Sequence, residues 1–166
     1  MVKRNVILLF LMLASSQVGH AKALHPKLQV AILRKILRYN AKLKPKMKQL
    51  TILVVHSGNA GNYLQLFKNA SINPRAVSVS EGAASLQGID LVYFLPKSYS
   101  ASVASKALAA GVLTVSGDSN IAEEGKASVG LGVANNRPLI VVNLKRLARE
   151  NHEFSSQLLA LAKVVK

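Results

Sequence analysis

The sequence predicts an α/β fold: a mainly parallel, Rossmann-like mixed sheet flanked by helices, ending in a C-terminal β-hairpin and terminal helices. Three observations predict it. Apolar, β-branched runs of strand length alternate with helix-length segments between residues 50 and 115, the spacing of consecutive strand–helix–strand units. The run at 50–55 is apolar almost throughout, as a strand covered on both faces requires. Beyond Gly125 two strand-like runs lie close together across Asn135-Asn136-Arg137-Pro138, the length and turn chemistry of a hairpin. No repeat, linker or low-complexity tract interrupts the chain, so one domain is expected over residues 24–166.

The chain opens on a different kind of segment. Lys3 and Arg4 precede nine apolar residues at 6–14, Ser15, Ser16 and Gln17 break the run, and small residues flank Gly19-His20-Ala21 and Ala21-Lys22-Ala23. A basic start, a short apolar stretch and a small-x-small site in that order describe a secretory signal peptide. It is expected over residues 1–23, cut after Ala21 or Ala23, with the remainder exported to the periplasm. Nine residues fall short of the about 20 that cross a bilayer. A buried N-terminal helix is the alternative reading.

The next element is basic. The chain of 166 residues carries 22 Lys and Arg against seven Asp and Glu, a net charge of +15, and no acid occurs before Glu81. On a helical wheel over 28–44, Leu28, Val30, Ile32, Leu33, Ile36, Leu37, Tyr39 and Leu43 share one broad arc. Arg34, Lys35, Arg38 and Lys42 fill the other, and Pro45 stops the helix. Such a face can be simply solvated, attracted to anionic lipid, or a surface for an acidic protein, where charge governs encounter and specificity. Arg34, Arg38 and Lys42 are the candidate partner-binding residues. A pI near 10.4 would ordinarily suggest nucleic acid, but the leader directs the protein away from it and no aromatic single-strand platform is visible.

The remaining elements follow in order. The strand at 50–55 runs into the turn cluster at 56–62 and a helix at 63–69. The run at 75–80 alternates, as a strand nearer an edge does. Residues 89–95 form a buried strand stopped by Pro96, and 98–110 a helix rich in Ala and Ser that ends at Gly111. A strand at 112–115 follows. In the hairpin, the strand at 127–134 puts Val129, Leu131 and Val133 on one face, with Gly130 and Gly132 on the other, where a helix can pack closely. Its mate is 139–142. Asn143 and Ser155 are placed as N-caps of two C-terminal helices.

Little chemistry is visible. Without cysteine there is no thiol nucleophile, redox pair or cysteine-bound metal. The turn after the first strand offers Ser57, Gly58, Asn59, Gly61 and Asn62 as a candidate ligand loop. It precedes a helix at a strand end, where α/β folds bind ligands and backbone amides hold anions. Its glycines do not fit G-x-G-x-x-G and no Gly-Lys-Ser/Thr follows, so an ordinary turn is the plain alternative. His56 and Ser57 point opposite ways on a strand end. Ser102 and Lys106 miss the S-x-x-K spacing, and Asp90 and Asp118 belong to no oxygen-ligand cluster. No catalytic, cofactor or metal-binding residue is assigned, and the chain does not read as an enzyme.

The C-terminal half nevertheless resembles a known family. Val112-Leu-Thr-Val-Ser116, Ile121-Ala122, Gly125 and Val129-Gly130-Leu131 follow one another as in the YfiR-like periplasmic proteins. Asn143-Leu144 and Ser155-Ser156-Gln157-Leu158-Leu159-Ala160-Leu161-Ala162 continue the likeness, and residues 30–43, 50–57 and 91–96 extend it upstream. Gly117-Asp118 stands where the family's aspartate follows the serine directly, Glu124-Gly125 replaces a double glycine, and the disulfides of the well-known member are impossible here. The resemblance implies a non-enzymatic signalling regulator that binds the periplasmic part of a membrane-anchored diguanylate cyclase or sensor kinase, lowering cyclic-di-GMP output in the first case. A homodimer stays open, as does a periplasmic small-ligand receptor using the crevice near residues 57–62 and Lys97-Ser98.

Overall fold

The computed structural model describes residues 23–81 and 85–166. The expected leader and its first cleavage point fall outside the described residues. In chain order the elements are α1 (Pro26–Leu37), β1 (Thr51–His56), α2 (Gly61–Asn69), β2 (Asn73–Ser78), β3 (Leu91–Phe94), α3 (Ala101–Ala110) and β4 (Leu113–Ser116). They are followed by α4 (Ser119–Glu123), β5 (Val129–Ala134), β6 (Arg137–Asn143), α5 (Leu144–Arg149), α6 (Ser156–Leu159) and β7 (Lys163–Val165). The seven strands make one sheet in the order β2-β1-β3-β4-β5-β6-β7. Neighbours are parallel except for the antiparallel β5–β6 pair. The α/β prediction holds.

Strand alternation divides the core. Ile52, Val54, Leu91, Tyr93, Leu113 and Val115 face the α1/α2 side with Leu33, Ile36, Leu37 and Phe67. Leu53, Val55, Val92 and Phe94 face α3 through Val103, Ala104 and Ala107. Because both faces are covered, the central strands are continuously apolar. β2, paired only with β1, is the edge strand that its alternation predicts.

Local signals act where they were expected. Gly111 ends α3 at φ 62°, the left-handed conformation that glycine adopts without penalty. Asn135 and Asn136, at φ 49° and 58°, are the two central residues of the hairpin turn, and the primed twist suits the strands. The Asn143 side chain accepts the Arg146 N–H at 2.9 Å. A Cβ on Gly130 would come within 2.8 Å of the Ser119 backbone, so α4 lies directly on β5. That short helix, and β7, escape sequence patterning.

One expectation is corrected. The first helix does not run to Lys44; it ends at Leu37. Asn40 is the cause: its side-chain oxygen accepts the Lys42 and Leu43 N–H groups at 3.1 Å each, an Asx-type turn that competes with helical bonding. Its backbone meanwhile bridges to Phe154, and Ser155 N–H donates to the Tyr39 carbonyl. Ser155 occupies the N-cap position of α6 as expected, without a side-chain hydrogen bond to the helix.

Candidate functional site

α1 buries Gln29, Val30, Leu33, Ile36 and Leu37 and turns Lys27, Ala31, Arg34, Lys35 and Arg38 outward. α2 packs alongside. Between the two helices runs a groove of about 420 Å³, with Val30, Ala31, Leu66 and Ala70 as its apolar floor and Lys27, Arg34, Lys35 and Arg38 as its cations. No acid lines it. The ion pairs among the described residues employ Lys46, Lys126, Arg146 and Lys163, leaving these four cations unneutralised. Arg34 and Lys35 in the last turn of α1 also suit the helix dipole.

The structure brings Arg34 and Arg38 together and sets Lys42 apart. With the helix ended before it, Lys42 lines a different recess, formed with Leu43, Lys46, Ile89, Asp90, Gly111 and His152. Lys27 and Lys35, which the sequence reading did not single out as contacts, belong to the groove. Their helical positions were the signal.

The loop after β1 stands at the carboxyl end of the sheet, at the point where the chain turns from β2 on one side of β1 to β3 on the other, the usual ligand crevice of such sheets. Here the Ser57 and Gly61 amides and the Ser57 hydroxyl are already employed. Ser57 N–H donates to Ser98 Oγ at 3.0 Å, the two hydroxyls lie 3.1 Å apart, and Gly61 N–H donates to Asn59 Oδ1 at 2.7 Å. Gly58 and Asn62 are exposed beside them. His56 and Ser57 form no pair: the buried Nδ1 of His56 has no hydrogen-bond partner among the described residues.

Beneath the loop Tyr93 donates to Gln29 Oε1, and Gln29 Nε2 donates to the Leu24 carbonyl at 2.7 Å. Tyr93 packs edge-on against Phe67 with ring centroids 5.4 Å apart. Burial pushes the Tyr63 phenol up to about 12, partly offset by Gln29, and raises Tyr93 well above its ordinary value, with Tyr63 adding to the effect. Both remain neutral near pH 7. They tie α1 to the sheet.

The densest polar cluster lies at the other end of the sheet and was not singled out from the sequence. Glu150, fully buried, accepts from Thr114 N–H at 2.8 Å, Thr114 Oγ1 at 2.6 Å, Ser128 Oγ at 2.6 Å and Arg146 Nε at 2.7 Å. Arg146 Nη2 donates to the Ala104 carbonyl at 2.7 Å. β5 begins opposite Val115, so the carboxylate takes the Thr114 N–H where strand pairing has not yet begun. Each carboxylate oxygen accepts two hydrogen bonds, the signature of a structural network. The i, i+4 spacing of Arg146 and Glu150 was its one local trace.

Nearby, His152 sits between Asn40 Oδ1 at 3.3 Å and the Gly111 carbonyl at 3.2 Å. Burial, with Lys42 adding to it, holds its imidazole below the usual histidine range. Among the described residues no three His, Asp or Glu gather to hold a metal, and no helix is long and apolar enough to cross a membrane.

Comparison with known proteins bears on this arrangement. The family described as YfiR/HmsC-like matches residues 26–163. Curated proteins yield no match. Among solved structures, a conserved domain protein from Vibrio cholerae O1 biovar eltor superposes with a TM-score of 0.59 at 17% identity. The likeness covers 85% of this chain and 60% of that one, and at this identity it speaks to the fold.

Proposed function

Starting from the fact that this chain belongs to the YfiR/HmsC-like family, we propose that it is an exported regulator without catalytic activity. It binds the periplasmic part of a membrane-anchored signalling protein, a diguanylate cyclase or a sensor kinase. The observation that carries the reading beyond family membership is the groove between α1 and α2, where Lys27, Arg34, Lys35 and Arg38 face solvent with no acid among them. A folded protein gains little by crowding four like charges. The arrangement suits an acidic surface on a partner, for which such charge sets encounter rate and selectivity. At the sheet's carboxyl end, by contrast, Ser57, Ser98, Asn59 and Gly61 are engaged with one another.

The test is a titration of the purified chain against the periplasmic segments of membrane cyclases and sensor kinases from the same cell. Arg34→Glu with Arg38→Glu is expected to weaken the complex at least about 10-fold, equivalent to roughly 1.4 kcal/mol. The loss should shrink as salt rises, because exposed charges are screened. Lys42→Glu, in its separate recess, should do much less. Turnover of any substrate by the chain, or a complex indifferent to the double substitution, would overturn the proposal.

A further inference from the structure

On its other flank α1 borders a second groove, of about 420 Å³, whose walls are Ile32, Ile36 and Tyr39 of α1 and its exit, Ile140 of β6, and Leu158 and Leu161 at α6. Lys35 and Arg38 stand at its rim as well, so these two cations crown a ridge between an apolar groove and a cationic one. Leu161 is 75% exposed, far more than a leucine of the core. No carboxylate among the described residues pairs with Lys35 or Arg38. Glu153 shares only a neighbouring cleft with Arg38.

Four modes of occupancy are conceivable, and the charges and shape choose among them. A second copy would bring the same cations against Lys35 and Arg38, in a chain of net charge +15. Strand addition is also disfavoured: β7 covers only Val141–Asn143 of β6, and the uncovered part carries Pro138, which has no N–H to offer. A lipid surface needs a cluster of apolar side chains that can insert, whereas in this groove Leu161 alone is strongly exposed and Val30, Leu33, Ile36 and Leu37 of α1 are buried in the core. A helix with one apolar face and acidic flanks satisfies both the walls and the rim.

We propose that this groove seats an amphipathic, acidic helix of the protein partner, its apolar row against Ile32, Tyr39, Ile140 and Leu161 and its carboxylates on Lys35 and Arg38. The inference deepens the function proposed above and rests on it. It adds the seat and the chemistry of what sits there.

The probe is a labelled helical peptide with Leu at the i, i+3, i+4 and i+7 positions and Glu elsewhere, titrated into the purified chain and followed by fluorescence anisotropy. Controls are the scrambled peptide, the same peptide with Lys in place of Glu, and phosphatidylglycerol vesicles; sedimentation reports self-association. The Leu/Glu peptide should bind at least about 10-fold tighter than both control peptides. Leu161→Asp should remove that advantage with no change in melting temperature, and Lys35→Glu with Arg38→Glu should reverse the preference toward the Lys peptide. Equal binding of the scrambled peptide would overturn the seat, as would vesicle binding or dimerisation that Leu161→Asp abolishes. If the partner's periplasmic segment binds wild type and Leu161→Asp equally, the seat falls while the proposed function stands. If that segment fails to bind wild type while the peptide still binds selectively, the proposed function falls and the seat stands.

Discussion

Arg38 and Arg146 carry the same group and have opposite fates. Arg146 is 8% exposed, pairs with a fully buried Glu150 and donates to the Ala104 carbonyl. Arg38 is exposed, borders both grooves of α1 and meets no acid within ion-pair distance among the described residues. A guanidinium removed from water needs a counter-charge and full hydrogen bonding; one left in water needs neither. The neutralised charge therefore holds the fold, and the unneutralised charges are the ones free to act on a partner.

The comparison breaks most readily at Glu150. Glu150→Ala leaves Arg146 buried without its counter-ion and strands the Thr114 N–H and the Ser128 hydroxyl. A loss of about 3–5 kcal/mol is expected for one half of a buried pair, read as a fall in urea midpoint. A stability near that of wild type would show the cluster to be solvated. Next in size is Gly130→Ala, whose Cβ would meet Ser119 and Ala122 at 2.8–2.9 Å. Forcing α4 off β5 should cost about 1–3 kcal/mol, seen in thermal unfolding.

His152 sharpens the contrast through pH. Its folded pKa lies below the unfolded value, so the native state favours the neutral ring. Above the unfolded value of about 6.5 this contribution is fully present. As pH falls through it, the unfolded chain binds a proton that the folded chain resists, and stability declines until the lower folded pKa is reached. Melting temperatures from pH 8 down to about 5 should show that decline, and His152→Gln should flatten it. The smallest effect on the fold belongs to Arg34→Glu with Arg38→Glu, within about 0.5 kcal/mol of wild type. A large destabilisation there would dissolve the distinction between holding and contacting charges.

Those predictions divide along the same line as legibility. The cations of α1 could be read from helical periodicity because exposure is all they require. Arg34 and Arg38 fall where the wheel put them; Lys42 does not, since Asn40 turns the chain by capping Lys42 and Leu43 and by pairing with Phe154, 114 residues further along. The Glu150 cluster joins residues separated by 36, 22 and four positions, and only the last interval leaves a periodic trace. The apolar groove likewise draws its walls from α1, β6 and α6, three segments with no local signal in common.

What the sequence determined by itself is whatever nearest neighbours decide: the buried strands from their unbroken apolar runs, the hairpin from Asn135-Asn136, the end of α3 at Gly111 and the cap at Asn143. Tertiary structure alone decided where α1 stops, which cations share a surface, and which carboxylate is drawn into the interior. Those outcomes depend on contacts between distant segments, whose free energies exist only once the sheet has assembled and brought them within reach.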